Sequence, residues 1–328
     1  MLDTFSNDTV LFAYALDGKG GGRLMKSAEV AGEVLSERFT WLHLDAMHSL
    51  TASTLRQMAP ELDELIVRAL LAEETRPRFV EFGDGALIIL RGVNLNPGAE
   101  PDDMVSTRLW VDTHGIISLQ RRDLLAVTDM RGRLANGTGP RNPGDFVALL
   151  IRALLDRIEH VLDELEQEAD VIEEKVFGKP DASLRLRIVS VRQQAITFRR
   201  YMSPQRDVTA AFALSELPWV SALNLRDLHE SHDRLTRYVE ELDAIRDRTQ
   251  IVQDALSNQL TEQLSRNIFV LSVVSAVFMP LSFVAGLFGM NVGGIPGAGY
   301  GYAFAILSAL SVLIISAMVL VFKKLKWF

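Results

Sequence analysis

The feature that most limits how this chain folds is a long stretch without any charge. From Asn267 to Phe322 there is no Asp, Glu, Lys, Arg or His in 56 residues, although 23% of the whole chain is charged. Two apolar runs of 21 residues lie inside it, 268–288 and 302–322, joined by a Gly-rich connection, 289–301. At about 1.5 Å per residue, each run crosses a hydrocarbon core of about 30 Å as a helix. The sequence therefore predicts two transmembrane helices, the alternative being a buried helical hairpin in a soluble protein.

The basic residues that flank the two spans predict their orientation. Arg266 precedes the first span, and Lys323, Lys324 and Lys326 follow the second. The positive-inside rule then places both termini in the cytoplasm and the connection outside. The N-terminal residues lack the basic-then-apolar pattern of a signal peptide, so the large domain is expected to stay in the cytoplasm.

The chain before the spans is acidic and lacks enzyme motifs. Residues 1–266 carry 31 basic and 42 acidic residues, a net charge of −11, and the whole chain has no cysteine. This balance argues against nucleic acid as a partner and suits divalent cations, while the missing cysteines exclude disulfides and thiolate metal sites. There is no Walker lysine motif, no G-x-S-x-G and no H-E-x-x-H. We therefore expect a protein that is not an enzyme and needs no cofactor.

Residues 1–143 predict a cytoplasmic α/β (α+β) domain. Segments 9–18 and 39–46 have the pattern of strands, and 59–74 has the pattern of a helix. Two further segments predict β-hairpins, with turns at Gly83-Asp84-Gly85 and at Thr113-His114-Gly115. Strands and helices that interleave in this way are typical of a mixed domain.

Residues 144–266 predict a cytoplasmic helical stalk, which leads into a transmembrane domain over 267–328. A first helix is expected over 145–177, capped by Asp145, with nine acids between positions 156 and 174. These acids are either a solvated helix face or an acidic rim that gathers cations. A basic helix over 182–202 is expected to pack antiparallel against the first, partly through charge.

A third stalk helix is predicted to enter the membrane unbroken. From Trp219 to Met279 there are 61 residues without Gly or Pro, which as a helix would be about 90 Å long. Apolar residues recur along it at steps of three and four, a spacing that predicts packing against another helix. We call this set the apolar seam: Leu235, Tyr238, Leu242, Ile245, Thr249, Val252 and Leu256.

A second set has the same spacing but consists mostly of small or polar residues. This polar seam comprises Asp254, Asn258, Thr261, Ser265, Ile268, Ser272, Ser275, Met279, Ser282 and Gly286. Within a membrane such a stripe predicts either packing on small residues or a water-filled path. Its continuity with the stalk favours a pore lining. Because one pair of spans cannot enclose a pore, the chain is expected to form oligomers.

The triplet Gly289-Met290-Asn291, directly after the first span, resembles the signature of the CorA-type divalent-cation transporters. The segments "FTWLHLD", "LLAEETRPRFVEFGDGALIILRGVN", "RRYMSPQRDV" and "LPW" extend the resemblance over nearly the whole chain. Within that superfamily, "LFAYALDGKGGG", "AEETRPR" and "GMNVGGIPG" are most similar to the ZntB zinc transporters. The magnesium branch usually continues after its triplet with a bulkier segment containing Pro-Glu, which this chain lacks.

The resemblance implies a funnel-shaped homopentamer in the bacterial inner membrane. Its first span would line the pore, and its second would face membrane lipid. The implied cargo is Zn²⁺, with Mg²⁺, Co²⁺, Ni²⁺ and Cd²⁺ as further candidates, and the zinc branch is taken to couple uptake to protons. A CorA-type Mg²⁺/Co²⁺ channel is the alternative within the family. A membrane-anchored coiled-coil receptor without transport is the alternative from another class.

Two sets of residues are candidate ion sites. At the outer mouth, Gly289 would allow a sharp turn and Met290 would pack it. A ring of Asn291 carbonyls would hydrogen-bond the waters of a hydrated ion. In the stalk, His229 and His232, with Asp233 beside them, share one side of a helix and form either a metal site or a solvated face. Since neither span contains His or Cys, conduction of the hydrated ion is favoured.

Overall fold

The computed structural model of the chain describes residues 9–26, 39–178, 180–290 and 299–324. By their contacts the residues fall into two compact units. The first comprises Met1–Lys179 with Ser183–Asp254, and the second Pro180–Ala182 with Ala255–Phe328. The boundaries that composition predicts, after residues 143 and 266, stay predictions.

A mixed β-sheet forms the centre of the N-terminal domain. Among the described residues, seven strands pair in the order β2-β1-β3-β7-β6-β5-β4. Strands β3 and β7 run parallel, and the other neighbouring pairs are antiparallel. The predicted α+β domain is therefore confirmed. The strands are β1 (Val10–Leu16), β2 (Gly22–Leu24), β3 (Thr40–Asp45), β4 (Arg78–Phe82), β5 (Gly85–Gly92), β6 (Val105–Val111) and β7 (Gly115–Gln120).

Both predicted hairpins form at the predicted turns. Strand β4 pairs with β5 so that Phe82 lies opposite Gly85, and β6 pairs with β7 so that Val111 lies opposite Ile116. Gly83 has a φ of +57°, a left-handed conformation that glycine adopts without a steric penalty. The turn chemistry read from the sequence therefore fixes the register of the first hairpin.

Within the described residues, three short helices accompany the sheet: α1 (Thr51–Met58), α2 (Glu64–Leu71) and α3 (Leu125–Ala135). Helix α2 is shorter than the predicted segment 59–74 because Asp63 caps it. The Asp63 carboxylate accepts a hydrogen bond of 2.7 Å from the Leu65 N–H. Leu44 and Leu70 belong to one buried cluster on this side of the sheet.

The opposite face of the sheet packs against a long helix. Trp41 contacts the ring of Phe146 at a centroid distance of 4.9 Å. Successive residues of a strand point to opposite faces, so Trp41 and its neighbour Leu42 bury both sides of β3. Burial on both faces explains the nearly continuous apolar sequence of the central strands.

The long helices are α4 (Pro143–Gly178), α5 (Leu184–Ala213), α6 (Ala222–Gly289) and α7 (Ala303–Lys324). Helix α4 starts two residues before the predicted position, and the predicted cap at Asp145 is wrong. The side chain of Asn142 accepts a hydrogen bond of 2.7 Å from the Asp145 N–H. Pro143 then occupies the first helical position, where its missing N–H is harmless. Asp145 accepts hydrogen bonds from the Arg141 N–H and from the Asn224 amide.

Helix α5 does not end at residue 202, as the nearby proline suggests, but continues through Pro204 to Ala213. A proline inside a helix removes one backbone hydrogen bond and costs about 3 kcal/mol. Tertiary packing offsets this, because Gln205, Val208 and Phe212 beyond the proline are buried. The Gln205 side chain also accepts a hydrogen bond of 2.7 Å from the Arg91 N–H on strand β5.

Candidate functional site

The stalk is built around the apolar seam of α6. All seven residues of the seam are buried, and Leu235, Leu242 and Leu256 are buried completely. Helices α4 and α5 also bury residues at steps of three and four, among them Leu162 and Leu165 on α4 and Val191 and Ala195 on α5. The seam that the sequence predicts is thus confirmed as a packing surface.

Two arginines of α6 hold the acids of α4. Arg234 donates to Asp156 at 2.8 Å and to Glu159 at 2.6 Å. Two heptads further along α6, Arg248 pairs in the same way with Asp170 and Glu173. Arg234 and Arg248 therefore bind four of the nine acids of α4 to α6, which neither reading of the acidic face anticipates. Such a network orients the helix pair rather than offering free carboxylates to cations.

The first of these arginines keeps its charge at every physiological pH. Burial opposes the charge of Arg234, but its hydrogen bonds to Asp156 and Tyr238 raise its pKa overall. Burial also raises the pKa of Tyr238 to about 12, so the phenol stays neutral. Helix α5 adds the charge contact expected with α4, since Arg187 pairs with Glu168 at 2.7 Å.

Asp254, the first residue of the polar seam, is held by a chain of hydrogen bonds from α5. The side-chain amide of Gln250 donates to the Asp254 carboxylate at 3.0 Å, and its oxygen Oε1 accepts a hydrogen bond from Arg192 of α5. Asp254 itself is exposed on the protomer. These two hydrogen bonds orient the Asp254 carboxylate. The sequence does not predict them, because Arg192 and Gln250 lie 58 residues apart.

The other nine residues of the polar seam are exposed in the single protomer. The most apolar members are also uncovered, with Met279 at 72% and Ile268 at 55% exposure. They lie on α6, which continues through Pro280 and ends at Gly289. An exposed stripe of this kind is available either to water or to further copies of the chain.

The predicted outer triplet is described only in part. Gly289 is the last residue of α6, and Met290 is 52% exposed, whereas Asn291 lies outside the described residues. A Cβ atom added to Gly289 meets no other atom within 4 Å. Steric crowding inside one protomer therefore does not require glycine at this position.

The histidine pair of the stalk is engaged with the backbone. His229 Nδ1 lies 2.6 Å from the Leu225 carbonyl oxygen, and His232 Nδ1 lies 3.3 Å from that of Arg206. Asp233 is exposed on the same helix. Over the described ranges, no group of three or more His, Asp or Glu side chains is placed to hold a metal ion. The predicted metal site at His229, His232 and Asp233 draws no support from this geometry.

Helices α6 and α7 each contain a segment with the length and composition of a membrane span. Both segments are strongly apolar over at least 18 residues, and neither is buried by the rest of the described chain. Large apolar side chains such as Phe283 and Phe304 are more than two-thirds exposed. Exposure on this scale suits a lipid environment.

A family sequence profile, individual relatives and solved structures all match this chain to transporters. The sequence profile of the CorA-like Mg²⁺ transporter proteins matches residues 36–324. The chain is 37% identical over 321 residues to the divalent cation transporter CmaX of Pseudomonas aeruginosa, covering 97% of this chain and 96% of CmaX. It is 34% identical over 322 residues to the zinc transport protein ZntB of Yersinia enterocolitica, covering 97% and 95%.

Solved structures agree with the sequence relatives. The full-length CmaX structure superposes with a TM-score of 0.85 at 36% identity, covering 98% of this chain and 99% of CmaX. The complete CorA magnesium transporter of Methanocaldococcus jannaschii superposes with a TM-score of 0.78 at 17% identity, covering 96% and 98%. The second likeness is one of fold. The relatives are transporters, which agrees with the absence of enzyme motifs from the sequence.

Proposed function

The chain belongs to the CorA-like Mg²⁺ transporter family, and on this premise we propose that it is a divalent-cation transporter with Zn²⁺ as its cargo. It is a membrane protein, and we place it in the bacterial inner membrane with both termini in the cytoplasm. Two relatives support the choice of cargo, because ZntB is named for zinc and CmaX for divalent cations. The absence of an acid after Asn291 also supports zinc, because the resemblance leads us to expect a segment containing Pro-Glu there in the magnesium branch.

The polar seam carries the mechanism that we propose. In a homopentamer, five copies of α6 would turn their polar seams inward and enclose a water-filled path. Neither span contains His or Cys, so the path offers Zn²⁺ none of its preferred nitrogen or sulfur ligands. The ion therefore keeps its water shell, which small hydroxyl side chains such as Ser272, Ser275 and Ser282 accommodate. Two charges moving inward through 100 mV gain about 4.6 kcal/mol, from about 2.3 kcal/mol per charge.

Ion flux into liposomes that contain only this protein tests the proposal. Uptake of Zn²⁺, Mg²⁺, Co²⁺, Ni²⁺ and Cd²⁺ is measured one metal at a time, with a pH-sensitive dye enclosed. Zn²⁺ uptake above that of protein-free liposomes is expected. Uptake of Mg²⁺ and Co²⁺ without Zn²⁺ would instead identify a CorA-type Mg²⁺/Co²⁺ channel. No flux of any metal would favour a membrane-anchored receptor.

Asp254→Asn is expected to change metal affinity or gating while leaving the oligomer intact. Asp254 is the only acid of the polar seam, and five copies would concentrate negative charge near the cytoplasmic end of the path. The substitution keeps the side-chain oxygen that accepts from Gln250. The concentration of metal at half-maximal uptake is measured, together with the elution volume on a sizing column. An uptake curve that coincides with that of the wild type would mark Asp254 as an ordinary solvated residue.

Proton coupling, if present, must use groups outside the membrane spans. Between Asn267 and Phe322 the titratable side chains are Tyr300 and Tyr302, and a phenol releases its proton only near pH 10. Asp254, His229 and His232 of α6 are the candidate proton-carrying groups in the stalk. Their combined replacement by Asn, Gln and Gln is expected to alter the pH dependence of uptake.

The matched control for this experiment is Tyr300→Phe with Tyr302→Phe. The two rings lie 5.9 Å apart, and both substitutions keep the ring while removing the hydroxyl. Uptake in the tyrosine variants should follow the wild-type pH profile. A profile lost in the tyrosine variants and kept in the triple variant would contradict the expectation.

A further inference from the structure

The N-terminal domain contains a polar cleft of about 760 Å³. Its walls come from the segment after α2, from β5 and β6, from the residues after β7 and from one turn of α5. The lining contains five arginines against three acids, a net charge of +2 in a domain that belongs to an acidic chain. The arginines are Arg76, Arg91, Arg121, Arg122 and Arg200, and the acids are Glu73, Glu74 and Asp103.

The acids of the cleft neutralise only part of this charge. Arg122 pairs with Asp103, and Arg121 reaches Glu73 only at 3.9 Å. The two carboxylates lie far out, with side chains 59% and 90% exposed, whereas the side chain of Arg121 is 24% exposed. Among the described residues, Arg91 and Arg200 form no ion pair. The inner part of the cleft is therefore cationic.

Arg91 and Arg108 hold this charge in a fixed position. Arg91 donates to the Met104 and Thr75 carbonyl oxygens, both at 2.6 Å, and lies over the ring of Tyr201 at 4.8 Å. Behind it, Arg108 on β6 is 1% exposed and donates to the backbone oxygen of Leu70 at 2.9 Å. Burial, and then the charges of Arg121 and Arg91, lowers the pKa of Arg108 to about 10. A guanidinium buried without a carboxylate leaves a local positive field uncompensated.

Two buried polar atoms at the cleft have no partner. Thr75 lines the cleft and is 9% exposed, yet its hydroxyl makes no hydrogen bond within the described part of the chain. The same holds for the Nε atom of Arg91. Buried polar groups usually have a partner, so these two donors are available to a ligand or to water that enters the cleft. A hydroxyl and a guanidinium N–H are both donors for one anionic oxygen.

We propose that this cleft binds a small molecule bearing phosphate groups, up to the size of a nucleotide. Arginine forks match phosphate oxygens in pairs, and several of them together suit a ligand with more than one negative charge. The volume lies within the range of about 300–1,000 Å³ that small-molecule sites occupy. The inference does not depend on transport, because the cleft lies wholly within the first compact unit.

Calorimetry on the full-length protein in detergent tests this site, with ADP without Mg²⁺ and inorganic phosphate as separate probes at constant ionic strength. The wild type is expected to bind ADP. The double variant Arg121→Gln with Arg200→Gln should bind at least about tenfold more weakly, since two charge-assisted contacts are lost. Arg91 and Arg108 stay unchanged because they support backbone groups of the fold. Thermal unfolding verifies that the double variant is folded.

The matched control is Arg185→Gln, which removes an exposed arginine of the same helix α5 outside the cleft. Its affinity for ADP should equal that of the wild type. Binding of inorganic phosphate alone would support the site for a single phosphate group, and tighter binding of ADP supports a nucleotide-sized ligand. The proposal is overturned if neither probe binds, or if the double variant binds as tightly as the wild type.

Discussion

Asn291→Ala is expected to reduce ion uptake more than about tenfold while the oligomer stays intact. In a pentameric ring, the substitution removes five carbonyl acceptors from the place where a hydrated ion would enter. At about 0.5–1.5 kcal/mol for each neutral hydrogen bond, five such contacts exceed the energy that a tenfold change in flux requires. Metal uptake into liposomes measures the loss, and a sizing column reports assembly.

Met290→Leu is the matched control for this substitution. Met290 is expected to pack the turn, and Met and Leu are nearly equal in volume, so uptake should remain near normal. Asn291→Asp adds a further comparison, because a ring of carboxylates would hold the ion tightly and slow its release. Near-normal flux in Asn291→Ala would show that the triplet does not contact the ion and is only a structural turn.

The sequence was sufficient for those parts of the fold that depend on local patterns. Alternating apolar residues around Gly83-Asp84-Gly85 predict a hairpin because turn geometry and strand period agree within a few residues. The apolar seam of α6 is predictable for the same reason, since a spacing of three and four defines one helix face wherever the partner lies. Both features are confirmed.

Features that depend on residues distant in the chain could not be predicted. The proline at position 204 suggests the end of a helix, and only the burial of Gln205 and Phe212 against other elements explains why α5 continues. Nor does composition reveal that Arg234 neutralises acids 75 and 78 residues earlier. The arginines of the cleft come from four separate segments, and no local motif marks them.

For the ion path, the sequence predicts which residues share a face but not what covers that face. The polar seam is exposed in one protomer, and both a water-filled path and packing between copies would cover it. These alternatives differ in one physical property, because only the path contains water. A cysteine thiol ionises in water and stays protonated in a packed apolar contact, so its reactivity distinguishes them.

Ser275→Cys is therefore expected to transport normally until a water-soluble, positively charged methanethiosulfonate is added, and then to lose more than about tenfold of its flux. The attached cations would lie in a narrow water-filled path with walls of low dielectric constant, where they repel an incoming divalent ion strongly. The chain has no cysteine of its own, so the wild type should not respond to the reagent. Ion uptake before and after labelling is the measurement.

Val274→Cys is the control that makes the result specific. Val274 precedes Ser275 and lies about 100° away around the helix, on a different face of α6. It is 46% exposed in the protomer. A cysteine there would react with the reagent only if water reaches that face. Its flux should be insensitive to the reagent. If both cysteines react equally, α6 has no preferred aqueous face. If neither reacts while the protein still transports metal, the seam is a packing surface and the ions take another route.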